Sequence, residues 1–412
     1  MNHQFPIGFW NYVPLEQQDE SAVRDWRDAG MTFTMSPGFG AGADDIAGVR
    51  KILDRAHEAG IRMILCHADT DWRNLTAKGE SVYREEFARA VKELGSHPAV
   101  SGFHVGDEPR AEHFEDACRA VRIQKELAPN LQPFLNLLPW HPGADKAVGF
   151  GDWGKYLDAY VEKSGVDLLC YDCYSQQNNP TDAWGWDMYF KNLREYEAAS
   201  KRQGIPWWTT LLSVGHFKYR CPTEDDLRWQ LNTAVAHGAK GILWFFFYMR
   251  QPHDNYRLAP VDEHWERTET YEWLSRVCRT FLKWTAPTLR ELTLNSVSHV
   301  GRAWGEVALF TGNGRVQKAA SQHKTDLIIS EYRHANGSEY VSVVNNSQKE
   351  STLAEIVVRG NHPQLYRICW ESRELPVSKT GEGGSGSGDD WCLTRPWLAP
   401  GQLELYRVED RK

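Results

Sequence analysis

Short apolar segments recur along the first two thirds of the chain, each followed by a polar stretch in which apolar residues return at helical spacing. The segments run from Pro6 to Val13, Met31 to Ser36, Arg62 to Asp69, Val100 to Glu108, Gln132 to Leu138, Val166 to Tyr174, Pro206 to Ser213 and Gly241 to Tyr248. Strands alternating with amphipathic helices indicate parallel β/α units, and eight is the number a closed barrel needs. The stretches from Ala47 and from Glu85 carry the 3.6-residue period, with Gly60 and Gly95 placed as helix ends. The run Tyr271 to Leu282 reads as a closing helix. From about Leu292 the pattern changes to short β runs, clearest at Glu306–Phe310, Glu339–Val344 and Gln402–Val408. The expected fold is therefore α/β: a (β/α)8 TIM barrel over residues 1–290, then an antiparallel β-sandwich over 291–412. The glycine-rich stretch beginning at Gly381 is expected to be a hairpin excursion.

Composition fits that plan. The 412 residues are 41% hydrophobic and 25% charged, which suits a soluble globular chain with room for both units. Net charge is −8 and no Lys/Arg block stands out, so neither nucleic acid nor a membrane is an expected partner. A neutral or polar small molecule is, and the sequence leaves the oligomeric state open. The first residues lack the basic and apolar regions of a signal peptide, so the chain as it stands is expected in the cytoplasm. Eight scattered cysteines read as reduced, buried thiols; Cys170 and Cys173 form a C-x-x-C, but inside a strand and without a second pair, so no metal or cofactor is expected. The 18 tryptophans, 16 tyrosines and 16 phenylalanines serve a large core, and those at strand ends offer flat faces for sugar rings.

The richest chemistry lies at Gly102-Phe-His-Val-Gly-Asp-Glu-Pro109. Proline ends the strand, so Asp107 and Glu108 fall on the rim where barrel enzymes carry their reactive groups. Glu108 is the candidate proton donor. By the two-residue period His104, Gly106 and Glu108 share one face while Asp107 points to the other, and neighbouring carboxylates push their pKa values apart. Capping of the helix that follows is the competing role for the pair.

His104-Val-Gly-Asp107-Glu108 resembles the His-x-Gly-Gly-Asp-Glu motif of family 20 hexosaminidases, with one glycine for two. With Pro109 it is also similar to the acidic pair of family 123 β-N-acetylgalactosaminidases. The resemblance implies a retaining, exo-acting β-N-acetylhexosaminidase with substrate-assisted catalysis, in which Glu108 is acid/base and Asp107 orients the 2-acetamido group that attacks the anomeric carbon. The large retaining barrel clan instead carries Asn-Glu on strand four and a glutamate ending strand seven. Here Pro206–His216 holds no carboxylate.

Other strand ends supply candidate substrate-binding residues: Tyr171, Asp172 and Tyr174, then His67 and Asp69, His104, Asn136, Trp140, Trp208, Trp244 and Tyr248. Asp172 is an acid that holds an arginine or a backbone amide, or the base of an inverting enzyme, the latter if about 6.5–9.5 Å separates it from Glu108. Asp254, Asp262 and Glu263 lie on a loop after the eighth strand that could reach the pocket mouth, with surface solvation as their default role. Two rival readings follow: a glycosidase on neutral sugars such as β-galactosides, pairing Glu108 with another carboxylate, and a carbohydrate-binding barrel with a degenerate site.

Overall fold

The computed structural model describes residues 4–174, 185–250, 255–377 and 384–411. Eight strands form the barrel: β1 (Ile7–Phe9), β2 (Phe33–Phe39), β3 (Arg62–His67), β4 (Val100–Asp107), β5 (Gln132–Asn136), β6 (Leu169–Asp172), β7 (Trp207–Leu212) and β8 (Ile242–Phe245). They pair in parallel as two ribbons, β2-β3-β4-β5 and β6-β7-β8-β1. Two seams close the ring. Leu137 N donates to Cys170 O at 2.8 Å, joining β5 to β6, and Thr32 N donates to Ile7 O at 2.9 Å, joining β1 to β2.

Alternation along the strands sorts side chains between two cores. Phe33, Met35, Ile64, Phe134, Cys170, Leu212 and Leu243 fill the barrel interior. Phe9, Leu65, Phe103, Val105, Tyr171 and Trp244 point outward into a larger core shared with the helices. Cys170 and Cys173 thus belong to different cores, which separates the two thiols of the C-x-x-C. Helices Ala43–Glu58, Glu80–Leu94 and Glu269–Trp284 fall where the sequence periodicity predicts them. No helix among the described residues is long and apolar enough to cross a membrane.

From Leu292 the chain forms two antiparallel sheets. One has the spatial order Glu374–Pro376, Pro363–Ile368, Leu403–Asp410, Glu339–Asn345, Leu327–His334, Leu292–Val300. The other orders Val316–Ser321, Thr352–Arg359, Trp391–Thr394, Ser385–Ser387. Val316, Leu327, Ile356, Val358 and Tyr406 pack between them. The hairpin Ser385–Ser387/Trp391–Thr394 accounts for part of the glycine-rich stretch; residues 378–383 lie outside the described residues.

The strand expected at Glu306–Phe310 does not form. Trp304–Glu306 is a tight turn instead, with Gly305 at φ 56° donating its N–H to Asp187 Oδ1 at 3.0 Å. A Cβ on Gly305 would come within 2.2 Å of Lys191 N, so the turn is docked on helix Trp186–Gln203 and only an isolated bridge between Leu309 and His299 remains.

The sandwich presses on helix Glu224–Ala236. Trp229 Nε1 donates to Asn346 Oδ1 at 2.9 Å, Asn232 Nδ2 to Gly401 O at 2.8 Å, and Ser330 Oγ to Ala236 O at 2.8 Å. On its other side Gln230 accepts from Leu212 N and donates to Leu212 O, which clamps the end of β7.

Candidate active site

The end of β4 departs from regular alternation. The pairing of β4 with β5 slips between His104 and Gly106, so two successive residues, Val105 and Gly106, turn to the helix side. Such a bulge re-aims the side chains beyond it. Asp107 therefore points into the mouth of the barrel, contrary to the face the two-residue period assigns it. Gly106 adopts φ 149°, and a Cβ there would lie 2.3 Å from the Trp72 ring. Glu108 follows at φ 42°, a left-handed conformation uncommon for a residue with a Cβ, fixed by its N–H donating to Asn136 O at 2.9 Å. Both acids reach the same mouth, and neither caps the helix Phe114–Leu127, whose N-cap is His113.

Asn136, the last residue of β5, organises the centre. Its Nδ2 donates to Asp107 Oδ1 at 3.0 Å and to Asp172 Oδ1 at 2.7 Å, which keeps those two oxygens within about 6 Å of each other. Asp172, the last residue of β6, is also in hydrogen-bonding contact with Glu108 and Tyr174. Although Glu108 keeps an exposed edge, loss of water around its carboxyl and the adjacent Asp172 and Asp107 raise its pKa well above the carboxylate range. Asp107 is raised for the same reasons, desolvation first and Asp172 next, with the Asn136 bond opposing. Desolvation also raises Asp172, against the bonds from Asn136, Tyr174 and Glu108. Asp107 and Glu108 both lie near enough to Asp172 for its charge to oppose their ionisation.

Aromatic side chains wall the cluster. Tyr174 stacks on Phe245 with centroids 4.9 Å apart, and Trp10 Nε1 donates across the barrel to Thr210 Oγ1 at 3.0 Å. Tyr12, just beyond β1, lies close enough to Asp107 and Asp172 that burial and their charges raise its phenol pKa. His104 sits beneath, 5.5 Å from Trp10 edge to face, kept neutral by burial that lowers its pKa to about 4.

The structure thus gathers Asp107, Glu108, Asn136, Asp172 and Tyr174, with His104 below them. The other expected binding residues lie elsewhere. Tyr171 stacks on Tyr196 at 3.8 Å in the helix layer. Trp244 is fully buried there; the Tyr248 hydroxyl accepts from Trp26 Nε1 at 2.7 Å, and the residue borders a neighbouring cavity with Tyr12 and Arg250. Trp208, second in β7, packs edge-on against Phe33 at 5.0 Å and lines a cavity of about 570 Å³ with Pro6, Arg62 and Gln132, at the end of the barrel opposite the carboxylates. His67 Nδ1 accepts from Asp69 N at 3.1 Å, while the Asp69 carboxylate pairs with Lys78 at 3.5 Å and Arg89 at 3.7 Å. Trp140 lies under Lys191 Nζ at 3.9 Å and donates from Nε1 to Asp145. Asp254 lies outside the described residues. Tyr12 and Trp10 are wall residues that the strand-end reading passed over, although Trp10-Asn11-Tyr12 shows the same aromatic alternation after an apolar strand that marked Tyr174. Among the described residues no group of three or more His, Cys, Asp or Glu side chains has the arrangement of a metal site.

The architecture is a (β/α)8 barrel with an appended β-sandwich, and solved glycoside hydrolases are similar to it. A structure named as a glycoside hydrolase superposes with a TM-score of 0.61 at 9% identity, over 98% of this chain and 92% of its own. A family 5 glycoside hydrolase from Bacteroides vulgatus ATCC 8482 gives 0.56 at 11% identity over 98% and 89%, and a family 39 enzyme from Bacteroides cellulosilyticus WH2 gives 0.54 at 14% over 98% and 81%. At such identities the likeness concerns the fold. No protein-family model and no curated protein matches the chain in sequence.

Proposed function

We propose that the protein is a retaining glycoside hydrolase with Glu108 as acid/base, acting on terminal β-linked N-acetylhexosamines by substrate assistance. The observation that carries this reading is the grouping of Glu108, Asp107 and Asp172 around the ends of β4–β6, combined with a β7 end, Ser213 to Arg220, that contains no carboxylate. Glu108 gives its proton to the glycosidic oxygen as that bond breaks. The acetamido carbonyl oxygen closes on the anomeric carbon, and the positive charge that develops on the acetamido group meets the Asp107 carboxylate at its N–H. Tyr174, beside Asp172, supplies a hydroxyl toward the acetamido oxygen. Water then opens the oxazolinium ring from the face the leaving group vacated, returning its proton to Glu108 and preserving the β configuration.

A second reading is favoured by one contact. Asp172 lies beside Glu108, closely enough to bear on its ionisation, which makes Asp172 available as a nucleophile on neutral glycosides. A panel of β-nitrophenyl glycosides separates the two. Release from N-acetylglucosaminide or N-acetylgalactosaminide, with none from the galactoside, glucoside or mannoside, supports substrate assistance; turnover of glycosides without the acetamido group overturns it. Absence of any hydrolysis, across the panel and of the corresponding β-linked oligosaccharides, overturns the hydrolase reading.

A further inference from the structure

The aromatic wall continues past the carboxylates. Phe245, stacked on Tyr174, meets Tyr12 edge-on at 5.8 Å, and the guanidinium of Arg250 lies over the Tyr12 ring at 4.4 Å. Tyr256 holds the Arg250 group from another side at 5.6 Å, accepting from Nη1 at 3.4 Å. Among the described residues no carboxylate lies within ion-pair distance of Arg250. A half-buried guanidinium has five N–H donors, and rings satisfy its face rather than its edge. That edge borders a cavity of about 450 Å³ lined by Tyr12, Gln17, Arg250, Glu263 and Trp265, within the size range of small-molecule sites.

The loop opposite is built to present two of those side chains. Asp262 Oδ1 accepts from His264 N and Glu266 N, both at 2.9 Å, and the tight turn places Trp265 at φ 66°. Trp265 leans one side on Tyr248, ring centroids 5.6 Å apart, and leaves 48% of its surface exposed. Glu263 stands exposed beside it. A flat indole, a guanidinium edge and a carboxylate around one cavity match a neutral polyhydroxylated ring: its C–H face covers the indole, and adjacent hydroxyls bridge donor and acceptor. An anion would meet Arg250 but also Asp262 and Glu263, and an apolar ligand would offer the guanidinium edge no acceptor.

We propose that this cavity is a second sugar subsite, taking the unit adjoining the one held at the carboxylates, so that the substrate is a β-linked oligosaccharide rather than a glycoside with a small aglycone. This rests on the glycosidase reading above. The test reads binding instead of turnover. Glu108→Gln protein is titrated, with tryptophan emission as signal, with chitotetraose, cellotetraose, mannotetraose and β-1,4-galactotetraose, and with the methyl β-glycoside of each unit. At least one tetrasaccharide is expected to bind ten-fold or more tighter than its methyl glycoside, and Arg250→Ala in the same background to remove that preference. Trp265→Ala, followed by calorimetry, should do likewise; its exposed side chain makes unfolding no explanation. Equal affinities for chain and monomer, a preference that survives both substitutions, or no binding of any tetrasaccharide overturns the subsite. Failure of the hydrolase reading shows separately, as chain-selective binding with no sugar released by the unsubstituted enzyme.

Discussion

Asp107 and Asp172, carried by strands on opposite sides of the β5 edge, are bound to one and the same amide nitrogen of Asn136, at 3.0 and 2.7 Å. Two acids that would repel each other are thereby held at a fixed spacing, and Glu108 joins them through Asp172.

On the proposed assignment, Glu108→Gln removes the proton donor while keeping shape. On substrates with poor leaving groups the rate should fall roughly 10²- to 10⁴-fold, and much less on dinitrophenyl glycosides, whose leaving group needs no proton. A variant as active as the unsubstituted enzyme on both would sink the assignment.

Asn136→Ala frees Asp107 and Asp172 at once. Each bond to a charged group is worth about 1.5–3 kcal/mol, so kcat should drop on the order of 10- to 100-fold. Because the amide bond lowers the pKa of both acids, its loss moves the acidic limb of the pH profile upward. A purely structural defect would lower the profile without displacing it.

Asp172→Asn should trade activity for stability in a pH-dependent way. The folded-state pKa of Asp172 is raised, so its stabilising share is complete below the unfolded value of about 4 and is lost as pH climbs through the folded one. The asparagine cannot ionise. Thermal melts at several pH values should show the difference in Tm moving steadily in the variant's favour from about pH 4 upward.

Gly106→Ala forces a Cβ into the Trp72 ring at a backbone angle that disfavours it. Strain and overpacking together should cost roughly 2–5 kcal/mol in denaturant unfolding. The residual folded enzyme should have lost kcat through displacement of Asp107.

Trp244→Ala tests the division between the two cores. Its indole is fully buried among the helices, so the variant should lose roughly 3–5 kcal/mol of stability with KM unchanged. A raised KM with unchanged stability would place the side chain in the pocket.

Much of this site can be read from the chain, and what cannot has a definite cause. The eight strands follow from apolar runs, and Asp107 and Glu108 from the proline that ends β4. Asp107 nevertheless faces the opposite way from its place in the two-residue period, because the bulge at Val105–Gly106 adds a residue whose presence shows only once β4 pairs with β5. The same limit explains Tyr171, Trp244 and Tyr248. Position at a strand end tells that a side chain is near the rim, but inward or outward depends on a parity set by the neighbouring strands. Asn136 looked like one polar strand end among several; its role depends on lying between β4 and β6, a relation across space that spacing along the chain does not carry. Arg250 gave no signal as a lone cation, and gains meaning only from the two tyrosines that hold it.

The helix Glu224–Ala236 is gripped by the sandwich through Trp229, Asn232 and Ala236 while its Gln230 pins the end of β7. Its burial on both sides makes the two architectural units a single cooperative element. A chain truncated before Leu292 would bare Trp229 and release the strap on β7, so the barrel is not a detachable catalytic module, and heat should melt both units in one transition.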